Sequence, residues 1–177
     1  METVGELRPE YLKMIANAVI SFDRIADVTR AISNIKAHAQ IYQAIATGTG
    51  IPWDEIGDIH MREGGNNLGE DLIDGTPCDP ATFIPDSIQK IHAWFDKTGY
   101  QVPAKWDAAE RLYLAEKWNG FGPRHHGIHT GYSWATTNFY IKGKYDRNGH
   151  WDPNLVDKQV GIASVMLIMR EQGIIQF

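Results

Sequence analysis

His60-Met61-Arg62-Glu63-Gly64-Gly65-Asn66-Asn67, running on to Asp74-Gly75-Thr76-Pro77, is the stretch on which the reading of this chain turns. It closes a segment, Pro52 to Arg62, that carries the marks of a short helix. Pro52 suits the first helical position, and Asp54 and Glu55 fall in the first turn, where the helix dipole favours negative charge. Ile56 and Ile59 are spaced for one apolar face, and Glu63 follows Ile59 on that face. Gly64-Gly65 then ends the helix, as glycine does just past a C-terminus. A carboxylate in that position meets the negative end of the dipole, and partial burial also disfavours its charge. Both effects predict a raised pKa, which suits a general acid near neutral pH. The alternative is a solvated glutamate at a frayed helix end.

The next residues are polar, and Asp74-Gly75 is a strong hairpin-turn signal, although the flanking alternation is imperfect. A helix ending in glutamate and followed by a small polar hairpin resembles the active-site layout of the lysozyme superfamily. His60-x-x-Glu63 with Asn67, then Asp74-Gly75-x-Pro77, is similar to the signature of lysozyme-like endolysin domains, roughly H-x-x-E-x-x-x-N-F and then L-x-N-G-x-P-L. Here Leu68 replaces the aromatic, Asp74 the asparagine and Cys78 the leucine. The resemblance implies an α+β fold, mostly helical, with one small β-hairpin after the catalytic helix. It also implies Glu63 as the catalytic acid. His60 is a supporting residue, or else a core-edge histidine with a satisfied ring. Asp74 is either a second carboxylate or a turn residue. Asn67 and Thr76 are polar contacts to substrate.

With 177 residues, 43% hydrophobic and 22% charged, the chain reads as one ordinary globular domain spanning residues 1–177. No apolar run has membrane-spanning length, and residues 1–10 lack an apolar signal-peptide core. The expectation is therefore synthesis in a cytoplasm, action on the wall after release, and no stable membrane insertion. The lone Cys78 excludes an internal disulfide. A formal net charge of −5 argues against nucleic acid as the main partner. It also means that a wall-active enzyme would bind through its cleft rather than through bulk charge. A monomer without cofactor or metal is expected.

Residues 9–21 suggest a helix with Pro9 near its start and Tyr11, Ile15 and Val19 on one face. A second helical pattern runs from about Asp23 to Thr47, through Ile25, Val28, Ile32, Ile35 and Ala39, before Gly48-Thr49-Gly50 breaks it. These two form a scaffold over 9–47, and the catalytic helix and hairpin occupy 52–84. Within 85–153, helices are expected at Pro85–Lys97, ended by Gly99, and at 104–118. From Asn119 to Trp151 the chain is rich in glycine, histidine and aromatics, without helical period. A core helix is expected over 154–171.

That aromatic region extends the resemblance. Lys117-Trp118-Asn119-Gly120-Phe121-Gly122 is similar to the tyrosine-asparagine-glycine segment of related endolysins and lytic transglycosylases, which lies across the cleft from the acid. Trp118 stands in the tyrosine's place, and Asn119 carries over as a polar sugar contact. Thr130-Gly131-Tyr132-Ser133-Trp134, then Asn138-Phe139-Tyr140 and Lys142-Gly143-Lys144-Tyr145, resemble that family's S-P-Y-L-W-S and N-x-Y-x-K-G-K-Y. Sugar rings stack C–H faces on aromatic planes while amides bind their rims. Tyr132, Trp134, Tyr140 and Tyr145, with Asn119 and Asn138, supply both chemistries, unless the rings are simply core.

Other chemistries compete. His125-His126-x-x-His129 invites a zinc amidase reading, but it lacks HExxH spacing. Cys78 with a histidine would suggest a cysteine amidase or peptidase, but it is not at a helix start that would lower its pKa. A non-catalytic wall-binding module would have no need of Glu63. The function expected is cleavage of the β-1,4 bond between N-acetylmuramic acid and N-acetylglucosamine in bacterial peptidoglycan glycan strands, as in an endolysin. A lytic transglycosylase giving 1,6-anhydro products is the alternative.

Overall fold

The computed structural model of the protein describes residues 2–177. Contacts gather the chain into two compact units, one made of the segment up to Arg30 with Trp106–Phe177, the other of Ala31–Lys105. The fold is mostly helical with a small two-stranded antiparallel sheet, as an α+β class requires. No helix among the described residues is long and apolar enough to cross a membrane.

In the first unit, α1 (Val4–Asn17) begins well before Pro9, so the expected start is corrected. The cause is a capping box: Glu6 N–H donates to the Thr3 hydroxyl, and the Glu6 carboxylate accepts from Thr3 N–H at 2.9 Å. Two otherwise orphaned donors are satisfied there, which outweighs the one backbone bond that Pro9 cannot make inside the helix. Because α1 stops at Asn17, Val19 leaves the predicted apolar face and is exposed, while Leu7, Tyr11, Met14 and Ile15 are buried.

Helix α6 (Ala108–Asn119) starts later than the expected 104, because the Asp107 carboxylate caps Ala109 N–H and Glu110 N–H at 3.0 Å each. It packs along α1, and Arg8 of α1 ties the two together through Asp107 and Glu110. Residues Ala108, Ala109 and Arg111 through Glu116 are all buried, so α6 forms the axis of this unit. Two one-turn helices follow, α7 (Gly122–His125) and α8 (Gly131–Trp134), and α8 packs on both α6 and α9 (Ile162–Glu171). The core helix was expected from 154. It begins only after Gly161, whose N–H donates to Ala135 O at 3.1 Å and holds the preceding segment extended.

The sheet pairs β1 (Lys144–Tyr145) with β2 (Trp151–Asp152). It lies in this unit rather than after the helix at 53–64, where Glu70 and Pro77 make only an isolated bridge. The β-hairpin expected around Asp74-Gly75 is thus a tight loop. Ile73 N–H and Gly75 N–H both turn back onto Asp71, and proline has no N–H to extend a ladder.

The single predicted helix over 23–47, which runs from the first unit into the second, is two. A 3-10 turn at Phe22–Arg24 leads into α2 (Ile25–Ala37), and α3 (Ala39–Thr49) follows a break at His38, with φ −107° and ψ 14°. No glycine or proline marks that break. It lets Tyr42 and Ile45, both wholly buried, turn inward as α3 packs on α4 (Trp53–Gly64) and α5 (Phe83–Thr98). Gly57 of α4 permits the crossing, since a Cβ there would lie 2.5 Å from Ile35 Cγ2 and 3.2 Å from the Tyr42 ring. Each wholly buried isoleucine along these faces, Ile35, Ile45, Ile56, Ile59 and Ile91, contributes roughly 1.5–3 kcal/mol.

Candidate active site

The site is built at the C-terminus of α4. Pro52 serves as its N-cap, one residue outside the expected first helical position. The helix buries Ile56 and Ile59 as its spacing predicts, and it also buries Asp54, Glu55, Asp58 and Arg62. Glu63 lies half-buried in the last turn. Gly65 (φ 60°) and Asn66 (φ 59°) then take left-handed conformations in succession. Both send their N–H groups to His60 O, which reverses the chain and closes the helix end.

The reversed chain returns over Glu63. Gly75 sits at φ 68° in the tip of the 71–76 loop, and a Cβ there would collide with the Glu63 carbonyl oxygen. The turn therefore needs glycine twice over, for its dihedral and for its contact with the last turn of α4. Asp71 N–H to Thr76 O at 2.7 Å and Cys78 N–H to Gly69 O at 2.9 Å close the loop.

His60 locks this arrangement from below. Its ring is wholly buried, and Nε2–H donates to Asn67 O at 3.1 Å and Glu70 O at 3.0 Å. Two carbonyl acceptors fix that tautomer, so Nδ1 accepts from the Tyr42 hydroxyl at 2.9 Å. Asn66 Nδ2 in turn donates to the Tyr42 oxygen and to Gly57 O, each at 2.9 Å. Burial holds the His60 pKa below its ordinary value, so the ring is neutral. Of the two roles considered for His60, the satisfied ring is the one observed, and it acts by positioning the loop. Tyr42 and Asn66 are its partners in this. The sequence carried no signal for them, because a tyrosine on an apolar helical face reads as core.

The carboxylates of the loop after α4 are held differently. Asp71 is buried, its Oδ2 2.6 Å from Lys90 Nζ of α5 and its Oδ1 accepting from Ile73 N–H at 2.7 Å. Asp74 is exposed and accepts from Thr76 N–H at 3.0 Å and the Thr76 hydroxyl at 2.7 Å. Those bonds lower its pKa and make it the turn residue of the loop, with Thr76 as its partner. Glu70 accepts from the exposed Asn67 amide at 3.3 Å. Cys78 gives its thiol to Leu68 O at 3.5 Å, and its pKa is raised, first by burial and then by Asp71, the reverse of an activated nucleophile.

The residues read as sugar contacts in the first unit divide sharply. Trp134 is wholly buried and meets Phe139 edge-on at 5.5 Å, so the expected stacking surface is corrected to core. Tyr132 is buried beside it in α8. Tyr140 is also buried, donating to Gly143 O at 3.3 Å and accepting from Asp157 N–H at 2.9 Å. Asn138, though exposed, accepts from Val19 N–H at 2.8 Å and so pins the chain leaving α1. Asn119, the exposed last residue of α6, donates to the Thr130 hydroxyl at 3.0 Å, which itself caps α8. Tyr145 alone among the four rings is open, 37% exposed, with its hydroxyl 3.2 Å from His126 Nε2. Trp151, which the sequence reading left out, joins it: His126 stacks on Trp151 at 4.0 Å and 7°, and Tyr145 meets Trp151 edge-on.

The same stacking separates the histidines of the zinc reading, since His129 instead faces Glu10, its Nδ1 3.4 Å from the carboxylate. Among the described residues no three histidine, cysteine or acidic side chains converge as a metal set would. One further carboxylate, Glu116, is wholly buried in α6. Its Oε2 accepts from the Tyr11 hydroxyl at 2.5 Å and from Arg124 Nη2 at 2.8 Å, and Arg124 Nε stands 2.8 Å from Oε1 as an ion pair. Comparisons with family models, curated proteins and solved structures find no match to this chain.

Proposed function

We propose that the protein is a lysozyme-like peptidoglycan hydrolase that cuts the β-1,4 bond between N-acetylmuramic acid and N-acetylglucosamine, with Glu63 as the general acid. The observation that carries this reading is the seating of Glu63 at the end of α4 beneath a loop locked by His60 and requiring Gly75. A catalytic carboxyl must be held in place on a rigid element, and the buried Asn66–Tyr42–His60 chain provides that support. Glu63 would protonate the glycosidic oxygen as an oxocarbenium-like transition state develops, leaving water to attack the anomeric carbon. Orienting that water falls to Glu70 or Asp74, because Asp71 is paired with Lys90. Asn67 is an exposed polar group suited to a glycan contact. The transglycosylase alternative uses the same acid, with the muramic acid 6-hydroxyl in place of water.

The reading predicts that purified bacterial walls lose turbidity in the presence of the protein, and equally so in excess EDTA. Clearing that stops on chelation and returns with zinc would assign the activity to a metalloamidase instead. No clearing of walls of any chemotype would remove the proposal.

A further inference from the structure

A groove beside the β1–β2 hairpin of the first unit takes in Tyr145 and otherwise lies outside the account above. It has a volume of about 420 Å³ and is lined by Lys144, Tyr145, Asp146, Arg147, Leu155 and Val156. Its walls leave apolar surface open, with Leu155 36% and Val156 46% exposed beside Tyr145. Large exposed apolar side chains scattered singly need no explanation, but a gathering of them rimmed by charge marks an interaction site. The hairpin builds this gathering: Gly143 N–H donates to Leu155 O at 2.8 Å, which lays 155–156 alongside β1.

The charges on the rim are unequal in availability. The Asp146 carboxylate is turned into its own loop, accepting from Asn148 N–H and His150 N–H at 2.8 Å each. Lys144 Nζ stands 3.6 Å from the buried Asp157. Arg147 is exposed and has no ion-pair partner among the described residues. An exposed guanidinium in a groove that also presents aliphatic side chains is complementary to a carboxylate attached to small apolar groups. Arginine binds carboxylate through a two-pronged fork, and methyl groups gain by leaving water against Leu155 and Val156.

We propose that this groove binds a short acidic peptide with small aliphatic side chains, the chemistry of the stem peptides on peptidoglycan glycan strands. The source of the peptide rests on the function proposed above; the groove's preference for carboxylate with aliphatic groups does not. The groove would then bind the wall polymer by its peptide. This would supply through a local cation the wall affinity that an acidic chain lacks in bulk.

The test is calorimetric titration of the full chain with N-acetyl-Ala-γ-Glu-diaminopimelate, its fully amidated counterpart and inorganic polyphosphate. Arg147→Glu and Val156→Ser, both at exposed positions, are titrated in parallel. Binding of the acidic peptide is expected to weaken about tenfold or more on amidation and in Arg147→Glu, and by a smaller factor in Val156→Ser. Equal binding of the amidated peptide, an unchanged Arg147→Glu, or preference for polyphosphate lost on the same substitution would each overturn the proposal. A protein that clears walls but binds no peptide loses this inference and keeps its function. One that binds the peptide but clears no wall does the opposite.

Discussion

Glu63→Gln is expected to abolish wall clearing while leaving the fold intact. The amide keeps the shape of the side chain and its place in the last turn of α4, but it has no proton to give to a leaving oxygen. Loss of a general acid costs on the order of a hundredfold or more, equivalent to roughly 3 kcal/mol of transition-state stabilisation. Because Glu63 is only half-buried, the substitution leaves the packing of Ile56 and Ile59 and the His60 chain unchanged. Circular dichroism and thermal melts should match the parent protein. Clearing within about threefold of the parent would take Glu63 out of the mechanism; a collapsed melt would reassign it to structure.

Arg124→Leu should produce the largest loss of stability. Arg124 holds both oxygens of the buried Glu116, reaches Glu10 at 2.9 Å, and lies over the Tyr11 ring at 5.4 Å. Removing the guanidinium leaves a carboxylate in the core of the first unit with only the Tyr11 hydroxyl for company. Breaking a buried pair from one side costs about 3–5 kcal/mol, which for a chain of this length lowers Tm by roughly 10 °C. Glu116→Leu added to Arg124→Leu should restore much of the loss, since the uncompensated charge goes with it. Thermal melts of the single and double variants measure this. A single variant as stable as the parent, or a double variant worse than the sum of its parts, contradicts the pairing.

What the sequence disclosed was mostly local. The ends of α4 and α5 were legible because Gly65 and Gly99 carry left-handed caps, and Glu63 because helix spacing and the following glycines place it. The Thr3–Glu6 box was also present in the sequence, but Pro9 is the louder signal and drew the helix start toward itself. The break at His38 has no local cause; it serves the packing of Tyr42 and Ile45, a tertiary demand. The same holds for the bond from Tyr42 to His60, eighteen residues apart, and for the Arg124–Glu116 pair. In the aperiodic stretch after Asn119 nothing distinguishes a core ring from a surface one. Trp134 and Tyr140 were therefore grouped with Tyr145, although only Tyr145 has an open face. The small hairpin was placed at Asp74-Gly75 because that dipeptide signals a turn. The turn is there, yet the paired strands formed around 146–150 instead, where the Asp146 carboxylate organises the reversal.

Mass spectrometry of the muropeptides released from purified peptidoglycan tests the central claim most directly. Hydrolysis of the muramyl bond predicts fragments ending in reducing N-acetylmuramic acid, which take up two hydrogens on borohydride treatment. Fragments with 1,6-anhydro ends would keep Glu63 as the acid but make the protein a transglycosylase. Intact glycan strands stripped of their peptides would contradict glycosidic cleavage altogether.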